Sequence, residues 1–395
     1  MAGSIEALIF FLIVIGAAFI MPELAKKIKI PYVTSIVIAG ILIGPFGFKV
    51  LQLSETVEFL AIIGAIFLMF IAGLDVKLSS LKKLGYKVIL IAVINAVIPS
   101  VSAYYLGIYF GYSILSSLIL ATIFVSSSIG IIIPSLTEAG LIETPLAKSI
   151  IGATVLEDIV SLLIFAVILQ YAKPSSFLPL PIYLLIIAVF LLVVYKLLPK
   201  FEKDFITDEQ QKKETQKQDV FEGEFKYIFI ILIAMAIFFE ALGMHAIIAG
   251  FIVGLLLSDV IKRRLVYDKI HTISYAFFIP IFFLIVGMKT DLFLILAAKE
   301  NIIITASIIL TLLITKFVSG WVAGKITGFS NLESAAIGAS TTPQMSTSLV
   351  VALVALEYGL FDNILINAII ILSIVTTLFA PSLMSFFYKK ISSKA

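Results

Sequence analysis

Apolar runs long enough to cross a lipid bilayer follow one another along nearly the whole chain, and such a sequence must fold as a stack of membrane-spanning helices. A span takes about 20 apolar residues, and inside hydrocarbon the backbone has to satisfy its own hydrogen bonds, which a helix does. Thirteen runs can be placed, among them 113–137, 147–171, 178–198, 300–324 and 331–357. The first, 5–22, has no basic leader and is expected to be a retained span, not a cleaved signal. With 61% hydrophobic and 13% charged residues and a mean hydropathy of +1.17, the chain falls far below the roughly 25% charge of soluble folds. It has no cysteine, which excludes disulfides and thiolate metal sites, and its two histidines, His245 and His271, are too few for a multi-histidine centre. The segment Phe201 to Glu224 is dense in Lys, Glu, Asp and Gln and reads as a solvated linker dividing the chain.

Thirteen spans put the termini on opposite sides of the membrane. With the N-terminus outside and the C-terminus in the cytoplasm, 23 of the 28 basic residues fall on the cytoplasmic side and 4 outside, with Lys316 inside a span. That asymmetry follows the positive-inside rule.

The two halves repeat each other. FLMFIAGLDVKL (67–78) matches FFLIVGMKTDL (282–292), with Gly73 and Gly287 214 residues apart. GILIGP (40–45) matches GFIVGLL (250–256) at an offset of 210, and the polar stretches 126–128 and 340–344 are again about 214 apart. The expected fold is an all-α polytopic membrane protein of about 13 transmembrane helices, grouped six, one, six, in which the odd middle span inverts the second copy.

Charge at membrane depth is expensive and marks function. Glu157 and Asp158 sit mid-span in AKSIIGATVLEDIVSLLIFAVILQ, and adjacent helical residues point about 100° apart, so each can face a different partner. Two carboxylates in a low dielectric need a counter-charge. Lys316, in IIITASIILTLLITKFVSGWVAGK, can supply it. Two spans are interrupted, one by Ser126, Ser127, Ser128 and Pro134, the other by Thr341, Thr342, Pro343, Gln344 and Ser346. Non-helical backbone at this depth survives only within protein or along a water cavity. There it offers carbonyl and hydroxyl oxygens to a cation and positive half-helix ends to an anion. Burial and the Lys316 charge act on Asp158 in opposite senses, leaving a carboxyl that holds either a proton or a small dehydrated cation, but not both. Such a site, opened alternately to each side, exchanges Na+, or K+ or Li+, for H+. Glu157 is expected to pair with Lys316 and to be a second proton-carrying group. No cofactor, enzymatic chemistry or nucleic-acid partner is expected beyond the transported ions and membrane lipid. An intramembrane aspartyl protease would need two aspartates on facing helices, whereas Asp75, Asp259, Asp268, Asp291 and Asp362 lie at span ends or in loops. A non-transporting sensor would be marked by loss of the buried acid, and Asp158 is present.

These features resemble the monovalent cation:proton antiporter superfamily, specifically the antiporter-2 family of NapA-type Na+/H+ antiporters and Kef-type K+ efflux proteins. The likeness rests on the six-one-six spans, GILIGP, FIAGLD, the acidic pair, and the lysine of TKFVSGWVAGKITG. It implies an NhaA/NapA-like fold and a homodimer in the cell membrane. Dimer-domain helices would occupy 1–85 and 225–298, core helices 86–175 and 299–395, and a connecting helix with its charged linker 176–224. It implies that Asp158 binds the ion and that Glu157 pairs with Lys316. A K+/H+ antiporter or K+ efflux protein is the alternative within it; the nucleotide-binding domain that Kef-type proteins append is not expected here. Glu157 departs from the Asp, Asn or Gln usual at its position. TTPQMSTSL (341–349) departs from an Arg-Gly-Glu stretch found after the proline in many relatives.

Overall fold

The computed structural model describes residues 2–27, 30–76, 85–172, 223–241, 245–258, 261 and 264–392. The expected seventh span, 178–198, and all but the last two residues of the charged linker lie outside them. Among the described residues the regular structure is helical, with no strand. The helices are α1 (Ala2–Lys26), α2 (Tyr32–Ile43), α3 (Glu55–Leu74), α4 (Tyr86–Tyr109), α5 (Ile114–Val125), α6 (Ile129–Glu138), α7 (Pro145–Ala172) and α8 (Gly223–Ala241). They continue as α9 (Ala246–Leu257), α10 (Arg264–Ile273), α11 (Ile279–Met288), α12 (Leu292–Ala297), α13 (Lys299–Ile326), α14 (Asn331–Ser340), α15 (Ser346–Glu357) and α16 (Asn363–Ser392). Eight helical stretches among the described residues are long and apolar enough to cross a bilayer, and three shorter apolar helices accompany them. The fold is that of a polytopic membrane protein.

Two compact units arise. One comprises Met1–Ala61, Lys83–Ile168 and Pro280–Ala395, the other Ile62–Lys82 and Leu169–Ile279. Within the first, α4 packs on α5 and α13, and α13 packs on α14 and α16. The α13–α14 contact is close because both sides are glycine: a Cβ at Gly320 would stand 2.6 Å from the Gly338 Cα.

Both expected interruptions are present, the first at its serines alone: Pro134 lies inside the helix that resumes after them. The helix that begins at Ile114 ends at Val125, runs extended through Ser126–Ser128, and resumes at Ile129. The second opens with a capping box, Ser330 with Glu333, ends at Ser340, and resumes at Ser346. Its non-helical stretch contains Pro343, which has no N–H to continue a helix.

Local geometry repeats at a fixed register. In the first unit α2 crosses α11 so that a Cβ on Gly287 would fall 2.1 Å from the Val37 carbonyl and one on Gly40 2.0 Å from that of Leu284. In the second unit α3 crosses α9 so that a Cβ on Gly73 would fall 2.1 Å from the Phe251 carbonyl and one on Gly254 2.1 Å from that of Phe70. Every member of the first set lies 214 residues from its counterpart in the second. The offset of 210 for GILIGP is therefore corrected: Gly40 answers to Gly254, not Gly250. The error is four residues, about one helical turn, after which one apolar run looks much like another. The helix ends repeat as well. α4 and α13 close on left-handed glycines, Gly111 at φ 81° and Gly328 at φ 86°, and α6 and α15 close on Gly140 at φ 69° and Gly359 at φ 68°.

Two elements were not foreseen. The span expected over 271–288 starts earlier, at Arg264, and passes through a π turn, Ser274–Phe278, between α10 and α11. The short α12 follows, N-capped by Asp291, whose carboxylate accepts from the Leu294 N–H at 3.1 Å.

Candidate ion-binding site

The site is built where the two interruptions meet. The Ser128 N–H donates to the Pro343 carbonyl at 2.8 Å, and the Ser127 hydroxyl lies 2.9 Å from the Thr341 carbonyl. Beside this crossing α7 presents Glu157 and Asp158, both buried.

Glu157 turns to Lys316 on α13. The Nζ–Oε2 distance is 2.9 Å and neither side chain has exposed surface, so Lys316 does not snorkel to the interface. Its ammonium has three donors and finds three acceptors: Glu157 Oε2, the Val125 carbonyl at 2.7 Å and Ser127 Oγ at 3.1 Å. The Glu157 carboxylate is equally well surrounded. Oε1 accepts from Asn95 Nδ2 at 2.8 Å, while Ser127 Oγ lies 2.9 Å from Oε2. Ser127 has one hydroxyl proton, so it serves either Glu157 or the Thr341 carbonyl at a given moment. Asn95 Oδ1 in turn accepts from Ser319 at 2.7 Å and from Thr341 at 3.3 Å. A buried ion pair is tolerated only when its remaining hydrogen-bonding capacity is met, and here four helices and one break contribute.

Asp158 stands apart from that network. Its Oδ1 is buried and has no hydrogen-bond partner. One turn earlier on the same helix, the hydroxyl of fully buried Thr154 also has none. Residues four apart share a helix face. Thr347, in the first turn of α15, and the Ser127 main-chain N–H are polar neighbours of Asp158, the hydroxyl able to ligate a cation and the N–H not. The arrangement gathers hard oxygen donors with unused acceptor capacity, next to the N-terminal ends of two half-helices.

The other expected oxygen donors are placed as follows. Ser126 Oγ lies 3.2 Å from Gln344 Oε1 and 3.1 Å from Ser348 Oγ. Ser128 meets the second break through its N–H, and Thr342 turns back to the Ala339 carbonyl at 2.7 Å. The breaks leave fewer carbonyls open than their sequence suggests. Those of Val125, Ser126, Thr341 and Pro343 accept from Lys316, Gln344, Ser127 and the Ser128 N–H. Sequence reasoning missed Thr154, Asn95, Ser319 and Thr347. Thr154 carried a readable signal, one turn from Asp158; Asn95 is a lone amide in the apolar run VILIAVINAVIPSV.

The chain resembles known sodium/proton antiporters over its whole length. A family model described as the transmembrane sodium/hydrogen exchanger matches residues 12–390. The Probable Na(+)/H(+) antiporter 3 of Methanocaldococcus jannaschii is 34% identical over 392 residues, covering 98% of each chain. A Na(+)/H(+) antiporter of Enterococcus hirae is 25% identical, covering 96% of this chain and 97% of its own. The Na(+)/H(+)-K(+) antiporter GerN of Bacillus cereus is 26% identical, covering 92% of each. Among solved structures, the sodium proton antiporter MjNhaP1 of Methanocaldococcus jannaschii at pH 8 superposes with a TM-score of 0.70. It shares 16% identity and covers 99% of this chain and 98% of that one. The narrower antiporter-2, Kef-related placement gets no support from these matches: the model is the general sodium/hydrogen exchanger, and these relatives are named as Na(+)/H(+) antiporters.

Proposed function

The chain belongs to the transmembrane sodium/hydrogen exchanger family, and from that premise we propose that it works as a secondary Na+/H+ antiporter with Asp158 as the group that changes cargo. The observation that carries this reading is the buried, unpartnered Asp158 Oδ1 one turn from the equally unpartnered Thr154 hydroxyl. A proton satisfies such a carboxyl by neutralising it. A dehydrated Na+ satisfies it by taking the carboxylate, the Thr154 and Thr347 hydroxyls and break oxygens as ligands. Coupling follows because the two cannot be held together.

In this reading Glu157 and Lys316 form an internally compensated pair that props the crossing open, and the N-terminal ends of α6 and α15 offset the Asp158 charge when neither ion is bound. The moving part is 86–175 with 299–395, carried against 1–85 and 225–298 by alternating access. The working unit is a homodimer in the cell membrane with its N-terminus outside and its C-terminus in the cytoplasm. GerN is named for K+ as well as Na+, so K+ is the second cargo to measure.

The test is proton flux in proteoliposomes on addition of Na+, Li+ or K+. The unsubstituted protein is expected to respond to Na+, with an apparent KM that rises as pH falls, because protons compete for Asp158. Asp158→Asn is expected to abolish the response while the protein still elutes as a folded species. Wild-type exchange by that variant would remove Asp158 from its role.

A further inference from the structure

Gln344 is the polar side chain of the second break that the exchange reading leaves without a task, and its contacts are unusually specific. Its Nε2 donates to the Ser126 carbonyl, and its Oε1 accepts from the hydroxyl of Ser126 at 3.2 Å and from that of Ser348. Its own N–H donates to Thr376 Oγ1 on α16 at 3.1 Å. One fully buried amide thus grips the end of α5 at both its main chain and its side chain, and the start of α15 at Ser348.

The residues it holds are next in sequence to the polar neighbours of Asp158. Ser127 follows Ser126, and Thr347 precedes Ser348. We propose that Gln344 is a positioning residue that sets the size of the cation site, by fixing the gap between the Asp158 carboxylate, which the Ser127 N–H engages, and the Thr347 hydroxyl. It rests on the antiport reading and adds to it a determinant of choice among alkali cations. Those cations offer the same charge and the same oxygen preference and differ in radius, so a site selects among them through the spacing of its ligands. An amide clamp with both donor and acceptor engaged holds such a spacing better than an apolar contact, because hydrogen bonds weaken steeply with misalignment.

Gln344→Asn keeps the amide and shortens it by one methylene; Ser348→Ala removes one of the two hydroxyls on Oε1 and leaves the rest. Li+, Na+ and K+ are titrated separately in the flux assay, with any that is not carried measured as an inhibitor of Na+ flux. Gln344→Asn is expected to change the ratio of apparent affinities for K+ and Na+ by about 5-fold, the factor that one hydrogen bond supplies, while kcat for Na+ is largely kept. Ser348→Ala should move the ratio the same way by less. Loss of packing alone would shift all three ions in parallel or lower kcat for all, and that result overturns the proposal. If Gln344→Asn does not fold, Ser348→Ala decides, and an unchanged ratio there overturns it. Absence of any cation-driven flux in the unsubstituted protein overturns the antiport reading, and this one with it.

Discussion

Removing an ammonium such as that of Lys316 from water costs several kcal/mol by order of magnitude unless partners replace every lost hydrogen bond. Its three acceptors do so, and one of them, Glu157, is itself held by Asn95 and Ser127. Lys316→Ala takes the charge away and leaves the carboxylate buried without compensation. We expect a loss of about 3–5 kcal/mol, read as a lower Tm of the detergent-solubilised protein. Adding Glu157→Gln should recover part of the loss, as residues in one network are not additive. An unchanged Tm for Lys316→Ala would show that the pair carries no weight in the fold. At this scale the charged residues were legible, because Glu157, Asp158 and Lys316 stand out in apolar runs. The neutral ones were not. Thr154, Asn95 and Thr347 belong to residue types that also bind helix to helix by ordinary hydrogen bonds, and only their placement beside Asp158 or Glu157 separates the two uses.

At the scale of elements, the interruptions could be read from Ser126–Ser128 and from Thr341 to Gln344, since runs of Ser and Thr compete with the helix for main-chain hydrogen bonds and Pro343 has no N–H to continue one. What they do could not be read. A sequence shows that carbonyls are freed at a break, but Lys316, Gln344, Ser127 and the Ser128 N–H reclaim four of them through contacts between residues up to 218 positions apart. The repeat was legible in outline and mis-set by one helical turn in one place, and helix crossing fixes it. That crossing makes a paired prediction. Gly73→Ala and Gly287→Ala each bring a methyl group to 2.1 Å from a main-chain oxygen of the facing helix, and backbone cannot step aside as a flexible side chain can. Each is expected to cost about 1–3 kcal/mol, and the two costs should match. Thermal melts of the two variants check this, and a clear difference between them would mean the crossings are alike in geometry but not in energetics.

For the whole molecule, charge asymmetry gives an expected orientation, N-terminus outside, and local geometry repeats between the halves. The absence of native cysteine makes the orientation directly measurable. A single cysteine at Lys49, read here as outer, should react with a membrane-impermeant maleimide in intact cells and one at Lys325, read as cytoplasmic, only in inverted vesicles; the exchanged pattern would reverse the assignment, and labelling of both from one face would discard it. The bond from the Ser128 N–H to the Pro343 carbonyl bears on how such a transporter turns over. Each interruption is hydrogen-bonded into the other, so neither can straighten or unwind by itself without leaving a buried main-chain group unpaired. The knot must therefore ride as a single piece of cargo-holding scaffold, and the doors have to be made by whatever slides around it.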